Sequence, residues 1–180
     1  MNKMMKTFFI IFAAIISLVN LSCDKINTFP LNIPFSFPFT IQGSNNPATS
    51  SSQYCLSQSS TYQSYGEKMK KLTFIEAAWR TDSVKNITLG TLKVTVKIVG
   101  GAILFQKTLP PTNPAVYKST PYVLSLTAAE IQALTNYFTG YLQNTAQCLE
   151  ASIEATVTSG TIPYYLKGYV DMVVESETKF

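Results

Sequence analysis

Between Phe29 and Ile41 every odd-numbered residue is apolar: Phe29, Leu31, Ile33, Phe35, Phe37, Phe39 and Ile41. The even positions hold Pro30, Asn32, Pro34, Ser36, Pro38 and Thr40. Alternation with a period of two belongs to a β-strand that buries one face. The prolines narrow the choice further. Residues two apart in a strand aim their backbone N–H groups at the same lateral neighbour, so Pro30, Pro34 and Pro38 place three missing donors along one side. The strand is therefore expected at the edge of a sheet, where those absences blunt pairing with other chains.

Later segments repeat the period. Leu72 to Trp79 is a second expected strand, and Asp82 to Asn86 a turn. Ile87 to Val99 is a third strand, with Leu92, Val94, Val96 and Ile98 on one face and Thr91, Lys93, Thr95 and Lys97 on the other. Gly100-Gly101 suits a primed hairpin turn, because glycine tolerates positive φ at both positions. Ala102 to Leu109 returns, and prolines at 110, 111, 114 and 121 precede a short strand at Tyr122 to Leu126. Leu149 to Thr158 alternates, Ser159-Gly160 turns, and a last strand buries Tyr164, Leu166, Val170, Met172 and Val174.

One helix interrupts this pattern, at about residues 128–143. Thr127 with Glu130 three places on forms a capping box, and Ile131, Leu134, Phe138 and Leu142 recur at helical spacing. About seven strands and one helix, mostly hairpin-linked, predict a mostly β chain: an antiparallel β-sandwich or flattened barrel. Residues 29–180 form its single domain. Gln42 to Gly66, rich in Ser, Asn and Gln and without a period, is expected to be a long surface loop.

Upstream of the domain, Lys3 and Lys6 precede an apolar run from Phe8 to Val19 that Ser17 alone interrupts. A charged start and an apolar middle are two parts of a secretory signal. The run has 12 residues, whereas a helix crossing a bilayer needs about 20, so export is favoured over a permanent span. It closes in Val19-Asn20-Leu21-Ser22-Cys23, which resembles the lipobox of bacterial lipoproteins. Ser22 supplies the small residue before the cysteine, while the family's leucine comes one place late, behind Asn20. No Ala-x-Ala pattern for ordinary cleavage lies near Ser22. The resemblance covers residues 1–23 alone. It implies removal of residues 1–22, attachment of diacylglycerol to the Cys23 thiol, a tether over residues 23–28, and a stable hold by two or more acyl chains. It also places the chain in a bacterial cell envelope, the outer membrane favoured over the inner. Asp24 is a residue that some lineages use for retention at the inner membrane and others ignore.

Removing 22 residues from 180 leaves 158, enough for one domain that buries roughly 70% of its unfolded surface. Lys3 and Lys6 leave with the leader, so 12 of the 14 basic residues face 10 acidic ones. Arg80 is the one arginine, and a nucleic-acid partner is set aside. The sequence contains no histidine, which removes the commonest general base and the commonest metal ligand. With Cys23 lipidated, Cys55 and Cys148 are a natural pair for a disulfide in an oxidising compartment, two buried thiols being the alternative.

Few residue sets invite chemistry. Glu150 and Glu154 share a strand face about 13 Å apart, beyond the roughly 5–9.5 Å of glycosidase pairs. Ser176 and Lys179 have Ser-x-x-Lys spacing, but that motif needs a helical turn, and here it ends a strand. Asp82-Ser83-Val84 resembles the glycosylation site of some Bacteroidetes envelope proteins. No Gly-rich phosphate loop, G-x-S-x-G elbow or Cys-x-x-Cys pair occurs, and no cofactor is implied. Trp79, Tyr117, Tyr122, Tyr164 and Tyr165 remain, since tyrosine and tryptophan offer a stacking face and a polar handle to a ligand. The expectation is a lipid-anchored, non-enzymatic accessory or binding module whose partner is an envelope protein or glycan. A periplasmic carrier of a lipid or other hydrophobic ligand, and a carbohydrate-binding surface module, are the alternatives.

Overall fold

The computed structural model describes residues 28–143 and 147–179. The leader, Cys23 and most of the tether lie outside the described residues. The chain builds an antiparallel β-sandwich from six strands: β1 (Thr28–Gly43), β2 (Ala48–Tyr54), β3 (Met69–Ile98), β4 (Ile103–Thr108), β5 (Tyr122–Val123) and β6 (Leu149–Lys179). Two helices join them, α1 (Ser60–Tyr65) and α2 (Ala128–Leu142).

Two strands are far longer than the sequence suggests. β3 has 30 residues and β6 has 31, and they pair along their whole length, from Met69 opposite Thr178 to Ile98 opposite Leu149. The expected turns at Asp82–Asn86 and Ser159-Gly160 are bends within these strands. Register shifts accumulate between Thr81 and Gly90, and from the Lys85–Tyr165 pair to the Ile87–Gly160 pair β6 advances further than β3. Extra residues on one strand bend a ladder and raise its twist. The ribbon thus folds back on itself, and its two halves become the two layers of the sandwich. Six strands replace the expected seven: each long strand merges two expected ones, and β2 is new.

β2 lies within the segment expected to be a loop at 42–66. Ala48–Tyr54 pairs with Leu149–Ala155 of β6, and α1 follows, with Ser59 as its N-cap accepting from the Tyr62 N–H. Its serine-rich face carries no apolar alternation, so the pairing edge of β6 determines its conformation. β1 pairs with the other half of β6, Thr28 opposite Lys179 and Gly43 opposite Tyr164, and ends the strand order β1-β6-β3-β4. It takes the edge position its prolines call for. Its buried face, Ile33, Phe35, Phe37, Phe39 and Ile41, enters one continuous core.

α2 starts as its capping box requires. The Thr127 hydroxyl accepts from the Glu130 N–H, and the Glu130 carboxylate accepts from the Thr127 N–H. The buried face is Leu134, Tyr137, Phe138 and Tyr141, while Ile131 is exposed. The stripe is rotated from the expected one because the two tyrosines satisfy their polar tips. Tyr137 donates to the Gln147 carbonyl and Tyr141 accepts from the Ser57 N–H at 2.9 Å. A buried tyrosine commonly needs such a partner. Cys55 and Cys148 are joined by a disulfide that ties the end of β2 to the start of β6.

Candidate functional site

The bend of the ribbon creates the most promising surface. Gln42 ends β1, Lys85 and Asn86 lie at the bend of β3, and Pro163, Tyr164 and Tyr165 lie at the bend of β6; together they line a cleft of about 210 Å³. Pairing fixes their arrangement, since Tyr165 lies opposite both Gln42 and Lys85. Asn86 has φ 63°, a left-handed conformation that asparagine tolerates better than most residues. Its amide donates to the Pro163 carbonyl at 2.8 Å and locks the two bends together. Gly160 permits this approach, because a Cβ there would collide with the Asn86 carbonyl.

The cleft combines two phenol rings, two planar amides and a cation. Rings stack on the apolar face of a flat ligand, amides donate and accept at once, and Lys85 makes no ion pair among the described residues. Ligand pockets usually enclose about 300–1,000 Å³. A cleft this small suits the end of a chain better than a whole enclosed ligand.

The other aromatic candidates do not converge here. Trp79 is 0% exposed and its indole N–H donates to Thr81 at 3.0 Å. It is a core residue, not a ligand-facing one, because the missing side chain of Gly168 leaves room for the ring directly beneath. Tyr117 is also buried, packed edge-on against half-buried Tyr122 at 5.5 Å. Trp79, Phe37, Phe105 and Phe138 occupy the space between the layers that a carried hydrophobic ligand would need.

The acidic and serine candidates are otherwise engaged. Glu150 pairs with Lys97 at 3.2 Å and Glu154 with Lys93 at 2.8 Å, both across β3 and β6. Ser176 is buried and shares a hydrogen bond with Thr178, away from exposed Lys179. Asp82 pairs with Lys167 at 3.0 Å. Arg80 binds Asp171 at 2.9 Å and lies over the Tyr169 ring, while Ser36 donates to the same carboxylate at 2.6 Å. Half-exposed pairs of this kind hold strands in register and contribute little stability each. Among the described residues no His, Cys, Asp and Glu cluster could hold a metal ion, and no helix is long and apolar enough to cross a membrane.

Sequence reasoning missed an aromatic group beside the disulfide. Phe35 stacks on Tyr54 at 4.7 Å, and Tyr62 meets Tyr141 edge-on at 5.4 Å. The i, i+4 spacing of Tyr137 and Tyr141 was the available signal. Burial, then the neighbouring Tyr141 hydroxyl, pushes Tyr137 well above the ordinary tyrosine range and raises Tyr62. Burial raises Tyr54 as well, against the opposing Ser59 hydrogen bond. These phenols stay neutral and structural. Beyond them, Ser57, Tyr62, Gln63, Ser64, Tyr65, Gly66, Glu67 and Lys68 border a broader depression of about 510 Å³, at the opposite end of the sandwich from the bend.

No protein-family model matches the chain, and no curated protein does. Among solved structures it is similar to a chain of infectious bursal disease virus Gx strain, at 9% identity and a TM-score of 0.38, covering 84% of this chain and 32% of that one. Desmodium yellow mottle tymovirus gives 13% identity and 0.35, covering 83% and 90%. Tobacco necrosis virus gives 11% and 0.31, covering 86% and 97%. The chain thus spans about a third of the bursal disease virus chain. Likeness at such scores implies no shared activity.

Proposed function

We propose that the chain is a lipid-anchored, non-enzymatic binding module of a bacterial cell envelope, which presents its bend cleft to a glycan. The observation that carries this reading is the position of the cleft relative to the expected anchor. The tether from Cys23 enters β1 at Thr28, and the cleft lies where β1 ends, beyond Ile41. Sixteen residues of strand extend up to about 50 Å, so the acylated end and the cleft face opposite ways. The Cys55–Cys148 disulfide supports export, since such bonds persist in oxidising compartments.

Two experiments test the two halves. In a bacterial host with the lipoprotein machinery, Cys23→Ala should accumulate as unprocessed precursor and take up no labelled palmitate; normal maturation would remove the anchor. For the cleft, Tyr164→Ala with Tyr165→Ala should weaken binding to immobilised oligosaccharides about tenfold, from roughly 0.5–1.5 kcal/mol per stacked ring. Lys85→Ala should weaken acidic oligosaccharides more than neutral ones. Equal binding by parent and the double tyrosine variant would refute the glycan reading.

A further inference from the structure

We propose that the end of the sandwich nearest the tether is a lipid-headgroup surface, on which Lys68, Lys70, Lys71 and Lys179 meet anionic phospholipids of the membrane that holds Cys23. This rests on the anchoring reading above. Strand register gathers the residues: Thr28 lies opposite Lys179, Met69 opposite Thr178 and Lys71 opposite Glu177. Lys68 borders the depression that also contains Tyr65. Tyr65 is 39% exposed and its ring packs edge-on against Phe29, the second residue of β1. All four lysines are exposed.

Charge pairing singles this end out. Arg80, Lys93, Lys97, Lys107 and Lys167 each hold a carboxylate within ion-pair distance. Of the six described lysines without such a partner, four are at the tether end; the others are Lys85, in the bend cleft, and Lys118. Glu67, Glu175 and Glu177 offset most of this charge, four lysines against three glutamates among the described residues of this end. Lysine and tyrosine are residues suited to a membrane–water interface, lysine to anionic headgroups and tyrosine to the boundary with the acyl region.

Chain length keeps the contact within reach once Cys23 is acylated. Four residues lie between Cys23 and Thr28, a reach of at most about 18 Å, so the tether lets this end settle within the roughly 8 Å over which headgroup charge acts at physiological salt. The four lysines can therefore enter the field of the headgroups, while Lys85, at the other end of β1, cannot.

Lysine acetylation footprinting tests this on the mature acylated protein. Intact mass first establishes the acyl chains, and the protein is then reconstituted in phosphatidylcholine vesicles with or without phosphatidylglycerol. Lys68, Lys70 and Lys71 should react about fivefold more slowly on the anionic vesicles, the factor equivalent to roughly 1 kcal/mol per lysine near such a surface. Lys85 and Lys118 should react alike on both, high salt should abolish the protection, and Lys70→Glu with Lys71→Glu should restore the reactivity of Lys68. An acylated protein whose lysines react alike on both vesicles overturns the inference and leaves the anchor standing. A protein without acyl mass overturns the anchor and the inference with it.

Discussion

Gly168→Ala tests the packing that keeps Trp79 inside. Gly168 lies on β6 between Phe39 of β1 and Thr81 of β3. A Cβ there would sit 2.5 Å from the Cη2 and Cζ2 atoms of Trp79 and 2.6 Å from the Arg80 carbonyl oxygen. Real atoms do not approach so closely, so the indole or the strand must move. The ring has nowhere easy to go: it is fully buried, lies against Phe39 with centroids 6.2 Å apart, and donates to buried Thr81. Overpacking a core costs about 1–3 kcal/mol, and loss of the indole hydrogen bond adds about 1 kcal/mol. The expected destabilisation is about 2–4 kcal/mol, a large share of the roughly 5–15 kcal/mol that stabilises an ordinary domain. Guanidinium unfolding of the oxidised protein, followed by far-ultraviolet circular dichroism, measures it. The decisive control is the Trp79→Ala background, which alone should cost about 3–5 kcal/mol. Gly168→Ala should be at least about 1 kcal/mol cheaper there, because two groups in contact are coupled. A cost below about 0.5 kcal/mol in the parent, or an equal cost in both backgrounds, would refute the reasoning.

Further outcomes follow from the same structure. Replacing Cys55 and Cys148 by serine opens a loop with a sequence separation of 93 and should lower stability by about 2–4 kcal/mol, read as a shift of the denaturation midpoint; an unchanged midpoint would contradict the bond's role. Tyr137 ionises at higher pH in the folded chain than when unfolded, so its contribution is complete below the unfolded tyrosine pKa of about 10 and is lost as pH rises beyond it. Stability should fall above that pH, and Tyr137→Phe should flatten the fall; an equally steep loss in the variant would assign it elsewhere.

The sequence disclosed local rules well and long-range ones poorly. Prolines at 30, 34 and 38 carry their edge position in their own chemistry, and Thr127 with Glu130 carries the start of α2. The bends of β3 and β6 are different. Asn86 or Ser159-Gly160 can close a hairpin or bend a strand with the same local residues, and the choice is made by the partner strand bending alongside. β2 has no buried face to announce it and is a strand because β6 offers it an edge. Trp79 shows the same limit, since the space that takes its ring inward is a glycine 89 positions away. Tyr164 and Tyr165 come together with Gln42 and Lys85 through three-strand register, which no single stretch of sequence contains.

The most direct measurement is the intact mass and first residue of the protein isolated from its native membranes. A chain that begins at Cys23, heavier than its polypeptide by a glyceryl group and its fatty acyl chains, is the expected result. A chain that retains Met1, or that begins elsewhere and carries no added lipid, would contradict the anchor, and with it the orientation that turns the bend cleft away from the bilayer.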